Sequence, residues 1–225
     1  MVSTDRVSPL WTPDDARMAS TQVEAFRRAV GVDGDYHDLH RWSVDHPADF
    51  WTAVWDQLGV VGDPGSTAVT DDGSGHLTGT RWFPGGCLNV AENLLGAADN
   101  RPALVFRGED PEVAGGRRTL TRRDLHALVS RLQQAMLDLG VKPGDRVATI
   151  AWNGYRHLEL YYAIAGIGAV CHTINPRLPA EQMAYIVNHA DDSLLFFDTT
   201  FAPLVSGLRD QFPEHTRYVA MTDRA

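Results

Sequence analysis

Arg146-Val147-Ala148-Thr149-Ile150-Ala151 is a short apolar run that stops at Trp152-Asn153-Gly154, and together with the segments downstream of it this run decides the fold. An amphipathic stretch over about 155–167 leads to a second apolar run, Ala169-Val170-Cys171-His172-Thr173-Ile174. A helix opened by Pro179 precedes Leu194-Leu195-Phe196-Phe197. A last helix, from about Ala202 to Gln211, precedes Arg217-Tyr218-Val219-Ala220-Met221. Apolar runs this short, separated by single helices, read as strands of a parallel sheet. Right-handed crossovers put the helices on both faces, so residues 146–222 are predicted to form a doubly wound α/β sheet.

Upstream of that run, Thr121 with Asp124 three residues on marks a helix start. Leu125, Leu128, Val129, Leu132, Met136 and Leu139 make its apolar stripe, and Gly140 ends it. Lys142-Pro143-Gly144-Asp145 then turns the chain into the first strand. Ala103 to Phe106 and Arg118 to Thr121 read as a β-hairpin whose loop holds Gly108, Pro111, Gly115 and Gly116. Gly62 to Thr80 is polar and Gly-rich and reads as a loop. Before it, Phe50, Trp51, Val54, Trp55 and Leu58 fall on one face of a helix starting near Pro47. With Leu39 and Trp42 they form a Trp-rich head that has to dock on something. A Val23-Phe26-Ala29-Val30 stripe predicts one more helix, before Gly31.

The 225 residues carry a formal charge of -9 with scattered arginines and a single lysine, Lys142, which argues against nucleic acid as a partner. The first thirty residues lack the ~7–15-residue apolar run of a secretory signal, and no stretch approaches the ~20 apolar residues of a membrane span. Cys87 and Cys171 lack Cys-x-x-Cys spacing and read as free thiols of a reducing compartment. A cytoplasmic protein without a membrane span is the expectation.

In an open parallel sheet, ligands bind beyond the carboxyl ends of the strands. Three loops qualify: Trp152-Asn153-Gly154, Asn175-Pro176-Arg177-Leu178 and Asp198-Thr199-Thr200. Arg177 is a fixed charge held between two prolines and suits a phosphate or carboxylate; pairing with Asp198 or capping a carbonyl is the plainer alternative. Gly166-Ile167-Gly168-Ala169 ends a helix and precedes a strand, the inverse of a dinucleotide fingerprint, and reads as close helix-to-sheet packing. His37, His40 and His46 lack Cys or Glu at ligand spacing, so no metal site is assigned. The acidic pairs Asp14-Asp15, Asp71-Asp72 and Asp191-Asp192 read as turn and cap residues, and Asn89, Glu92 and Asn93 as cap and contact residues. No catalytic residue is assigned.

Trp82-Phe83-Pro84-Gly85-Gly86-Cys87-Leu88-Asn89-Val90-Ala91-Glu92-Asn93-Leu94-Leu95 resembles a segment of AMP-forming acyl-CoA synthetases, closest to the acetyl- and acetoacetyl-CoA branch. Trp152 to Tyr162, His172 to Leu178 and Val187-Asn188-His189-Ala190 resemble the medium-chain fatty-acid CoA ligase branch. The resemblance covers roughly residues 36–222. It implies three divisions: a 1–34 tail, a 35–100 synthetase-type head, and residues 101–225 as the first part of an AMP-binding α/β domain whose sheet is incomplete. It also implies ATP, Mg²⁺ and CoA as cofactors, a short- or medium-chain carboxylic acid (acetoacetate or a fatty acid) as substrate, and the remainder of the synthetase polypeptide as partner. Asn175 and Arg177 become CoA-side contacts. Asp198-Thr199-Thr200-Phe201 lacks the arginine that acetyl-CoA synthetases carry after this strand, which points away from acetate.

The reaction so implied joins the carboxylate to the α-phosphate of ATP and then displaces AMP with the CoA thiol. Its first half needs a Gly-rich phosphate loop and cationic charge. Lys142 lies in a surface turn, and the family's Gly-rich loop ending in Pro-Lys belongs further along, so the 225 residues are expected to be inactive alone. The rival expectation is a stand-alone, catalytically inactive module that recruits a partner through an open sheet edge. A nucleotide-binding α/β domain of unrelated chemistry is a third, disfavoured because no phosphate fingerprint comes after any strand.

Overall fold

The computed structural model describes residues 10–109 and 116–222. Pro111 and Gly115 of the expected hairpin loop, and the first nine residues of the tail, lie outside the described residues. The chain divides into two compact units, Met1–Leu88 and Asn89–Ala225.

The first unit is built from short, well-capped helices and aromatic contacts. Asp14 and Thr21 cap α1 (Asp15–Ala19) and α2 (Gln22–Ala29) by accepting from the Arg17 and Glu24 amides. A capping box of Asp35 and Asp38 starts α3 (Tyr36–Asp45), and Pro47 occupies the first turn of α4 (Pro47–Gln57), where its missing N–H costs no intrahelical bond. The Trp55 ring, which is buried, lies 4.9 Å from Phe83, Trp51 lies 5.6 Å from Trp82, and Phe50 meets Trp42 at 6.2 Å and Phe26 at 5.7 Å. The Trp-Phe-Pro-Gly turn therefore serves as the aromatic anchor of the Trp-rich helix. Leu58 does not join that face; it lies past the helix end and is exposed.

The expected loop from Gly62 to Thr80 is partly ordered as sheet. Strands β1 (Gly62–Asp63), β2 (Val69–Thr70), β3 (Arg81–Trp82) and β4 (Cys87–Leu88) make two antiparallel ladders, β1 with β4 and β2 with β3. Glycine, which suggested an unpacked loop, is what lets the backbones meet. A Cβ on Gly62 would sit 2.6 Å from the Cys87 carbonyl oxygen, and one on Gly65 2.9 Å from the Gly85 carbonyl carbon. Two-residue strands carry no hydrophobic period, so nothing in the pattern announced them.

The second unit keeps closely to the predicted order. Helix α5 (Val90–Leu95) precedes a hairpin of β5 (Pro102–Arg107) and β6 (Arg117–Thr121), antiparallel with an irregularity between Pro102 and Leu104. Thr121 and Asp124 form the expected capping box of α6 (Arg122–Asp138). Then come β7 (Arg146–Ile150), α7 (Tyr155–Gly166), β8 (Val170–Thr173), α8 (Ala180–Ala190), β9 (Leu194–Asp198), α9 (Ala202–Leu208) and β10 (Arg217–Met221). The four strands pair in parallel in the order β10-β9-β7-β8.

Alternate residues of each strand feed two aliphatic cores. On one face Val147, Leu194 and Phe196 pack with Leu125, Val129 and Met136 of α6 and Leu160 and Ile164 of α7. On the other, Ala148, Ile150 and Leu195 pack with Met183 and Val187 of α8 and Val205 and Leu208 of α9. This alternation is the doubly wound arrangement: α7 crosses on one face, α8 and α9 on the other.

Two further expectations differ from what forms. Gly166 provides close helix-to-helix rather than helix-to-sheet packing, because a Cβ there would meet the Gln133 side chain of α6 and, at 3.8 Å, Ala91 of α5. Asp192 is more than a turn residue. Fully buried, it bonds through both carboxylate oxygens, at 3.0 and 2.8 Å, to Nδ1 of His172 on the edge strand β8. Its neighbour Asp191 does take the left-handed cap position, and Asn89 caps α5 as expected while its amide donates to the Ala165 and Gly166 carbonyls.

Candidate nucleotide and coenzyme face

The strand order reverses at β7: the chain leaves it for β8 on one side, then returns past it to β9 on the other. A crevice at such a switch point is where open α/β sheets bind ligands, because the loops on either side turn toward opposite faces. Here the flanking loops are those after β7 and β9, and both are tied to one residue, Trp152.

The Trp152 amide donates to Asp198 Oδ2 at 2.7 Å, a charge-assisted bond that spans the crevice just beyond the last β7–β9 pair, Ile150 with Phe197. The indole lies 4.9 Å from the ring of buried Phe201, in the turn after β9. From the third loop, the Arg177 guanidinium lies 5.8 Å from the centre of the Trp152 ring. All three loops nominated from sequence thus converge on a single aromatic side chain that keeps 44% of its surface exposed.

Asn175 and Arg177 lie where the sequence put them, in the loop after β8, and both are exposed. Asn175 Oδ1 accepts the Arg177 amide at 3.0 Å, an Asx turn that stiffens the loop. The alternative pairing of Arg177 with Asp198 is not what forms: Asp198 bonds the Trp152 amide, and among the described residues Arg177 has no carboxylate partner. Its charge remains available to an anion.

Beneath Trp152 sits a group that the motif reading did not single out. His157, in the first turn of α7, is buried, with Nε2 at 2.9 Å from the Thr149 hydroxyl. Burial holds its pKa below the ordinary histidine value, against the opposing pull of the Asp198 carboxylate and the nearby Trp152 backbone. The imidazole is therefore neutral near pH 7 and ties the start of α7 to β7. The only signal was spacing: a polar Thr inside an apolar strand, eight residues before a His at a helix start. Among the described residues no group of three or more His, Cys, Asp or Glu is placed to hold a metal ion, and no helix is long and apolar enough to cross a membrane.

The sheet order and the switch-point face define a doubly wound α/β ligand-binding architecture, and comparison with known proteins identifies its family. A family model described as AMP-binding enzyme matches residues 92–224, more than half of the chain, and the chain belongs to that family. A second, described as acetyl-coenzyme A synthetase N-terminus, matches residues 36–94. The solved acetoacetyl-CoA synthetase from Streptomyces lividans superposes with a TM-score of 0.80 at 27% identity, over 95% of this chain and 35% of that one. The acetoacetyl-coenzyme A synthetase of Rhizobium meliloti is 38% identical over 173 residues, 75% of this chain and 26% of its own length. The 3-methylmercaptopropionyl-CoA ligase of Ruegeria lacuscaerulensis is 52% identical over 109 residues, 47% of this chain and 20% of its own length. The medium-chain-fatty-acid CoA ligase of Ectopseudomonas oleovorans is 44% identical over 99 residues, 44% of this chain and 18% of its own length. The chain spans about a fifth to a quarter of the length of these curated relatives. The two branches read from the sequence, acetoacetyl-CoA synthetase and medium-chain ligase, are both among the proteins it is similar to.

Proposed function

We propose that this chain supplies the first part of an AMP-forming acid–CoA ligase acting on a short- or medium-chain carboxylic acid, acetoacetate or a fatty acid. In this reading residues 35–100 are the head and 101–225 begin the AMP-binding domain. The carboxylate oxygen attacks the α-phosphorus of ATP, pyrophosphate leaves, and the CoA sulfur then attacks the acyl carbon and releases AMP. ATP with Mg²⁺ and CoA are the cofactors, and the setting is cytoplasmic. The observation that carries the reading is the convergence of three strand-end loops on Trp152 with Arg177 left without a carboxylate partner among the described residues. Asn175 and Arg177 contact CoA; neither touches the reacting carboxylate, and neither is a catalytic residue.

Charge building on the ATP phosphates needs a cationic, flexible loop. The sole lysine, Lys142, is in the turn before β7, its amide bonded to Asp145 Oδ2 at 2.8 Å. The 225 residues alone are therefore proposed not to turn over, with the phosphate loop supplied by the rest of the synthetase. The complete reading frame, assayed for acid-dependent AMP release with CoA, should be active on at least one acid between acetate and dodecanoate or on acetoacetate. Silence across that panel would remove the reading. Within an active enzyme, Arg177→Ala should raise KM for CoA by about tenfold, the loss of one charge-assisted contact, and leave KM for ATP unchanged.

A further inference from the structure

Asp198 is the acidic residue that the sequence offered as a partner for Arg177, yet its carboxylate is committed to a neutral main-chain amide. That choice has two consequences on the same face. The Trp152 loop, which leaves β7 without a further strand partner, is clamped to the end of β9. The Arg177 guanidinium, facing the ring so clamped, keeps its charge for another ligand. Phe201 backs the indole from the core side, and the His157–Thr149 bond ties the α7 end of the same loop to β7. An exposed ring fixed from three directions, with a cation beside it, suits a flat heteroaromatic group that carries phosphate. A ring left to move would lose that fit, since its ordering would then weaken ligand binding.

We propose that Asp198 is a positioning residue for CoA recognition, acting through Trp152: its carboxylate sets the loop so that the indole and Arg177 present one aromatic and cationic edge to the nucleotide end of CoA. The inference rests on the ligase reading above and adds to it two residues, Trp152 as the contact and Asp198 as its support. Asp198 touches no reacting atom in this scheme, so chemistry at saturating CoA should survive its loss.

The test uses the complete enzyme, with steady-state KM for CoA, ATP and acid measured in turn and adenosine 3′,5′-bisphosphate as a dead-end probe of the same edge. Asp198→Ala should raise KM for CoA and the inhibition constant of the bisphosphate by about tenfold, with kcat at saturating CoA and KM for ATP within about twofold of wild type. Asp198→Asn still offers a side-chain oxygen to the Trp152 amide and should recover most of the loss. Trp152→Ala should match Asp198→Ala. Because one residue acts through the other, the double variant should be weaker than either alone by less than about threefold. An unchanged CoA KM in Asp198→Ala overturns the proposal, as does an equal rise for CoA, ATP and acid. Should Asp198→Ala fail to fold, the Asn variant and Trp152→Ala decide: wild-type CoA KM in Trp152→Ala overturns it. A wild-type enzyme with no CoA-dependent AMP release sinks the ligase reading itself, an outcome distinct from an active wild type whose Asp198 variants behave normally.

Discussion

Residues 89–222 and residues 10–88 reach order by different means. In the sheet unit Met136, Ile164, Met183, Leu194 and Leu195 are fully buried in two aliphatic layers, whereas among the described apolar residues before Asn89 only Leu39 and Trp55 are buried. The head relies instead on aromatic edges, helix caps and glycines that let backbones touch. The contrast teaches that the sheet unit is specified by pattern, because every second strand residue must find an aliphatic partner. The head is specified by a few positions where geometry admits one residue type.

Four outcomes test that contrast. The largest effect is expected from Leu195→Ala, which empties a fully buried site in the layer under α8 and α9; it should cost about 3 kcal/mol in urea unfolding. A loss under about 1 kcal/mol would mean that the layer collapses to fill the space, and that the sheet unit is no more tightly packed than the head. Next comes Gly65→Ala in the head. Its φ of +70° and the 2.9 Å approach to Gly85 both oppose a side chain. Hydrogen exchange over residues 62–88 should reveal a loss of about 1–2 kcal/mol, confined to the head.

Asn89→Ala should cost about 1 kcal/mol, since it removes the N-cap of α5 along with the amide that ties it to the end of α7. Thermal unfolding is the check, and an unchanged midpoint would show the cap to be redundant.

The smallest effect is expected from acid. Burial lowers the His157 pKa, so on acidification an unfolded chain takes up this proton near the ordinary value of 6.5 before the folded one does. The associated stability is complete above that value and is lost as pH falls toward the folded pKa. Urea stability measured from about pH 7 to 5 should decline in part through this group, and His157→Gln should flatten that share of the slope. A His157 proton resonance that titrates at or above the ordinary value would contradict the burial argument.

Much of the switch-point face could be anticipated, but not its wiring. Strand ends are marked by Asn153-Gly154, Asn175-Pro176 and Asp198-Thr199, so the three loops were legible as candidates. That Asp198 would choose the Trp152 amide over Arg177 was not, because the choice depends on β9 lying beside β7, with β8 on the far side. The His172–Asp192 pair escaped notice for the same reason: twenty residues separate its members, and only the folded chain brings them together.

Along the chain alone, the alternation of apolar runs and amphipathic helices dictated a parallel α/β sheet, since hydrophobic period and crossover handedness are local properties that each segment carries with it. Two motifs likewise announced the ligase-like relationship. Tertiary structure decided which polar groups would meet: the carboxylate that clamps Trp152, the hydroxyl under His157, and the glycine contacts that turn a polar stretch into paired strands. Those outcomes turn on distances between segments remote in sequence, where a shift of one strand position would exchange every partner.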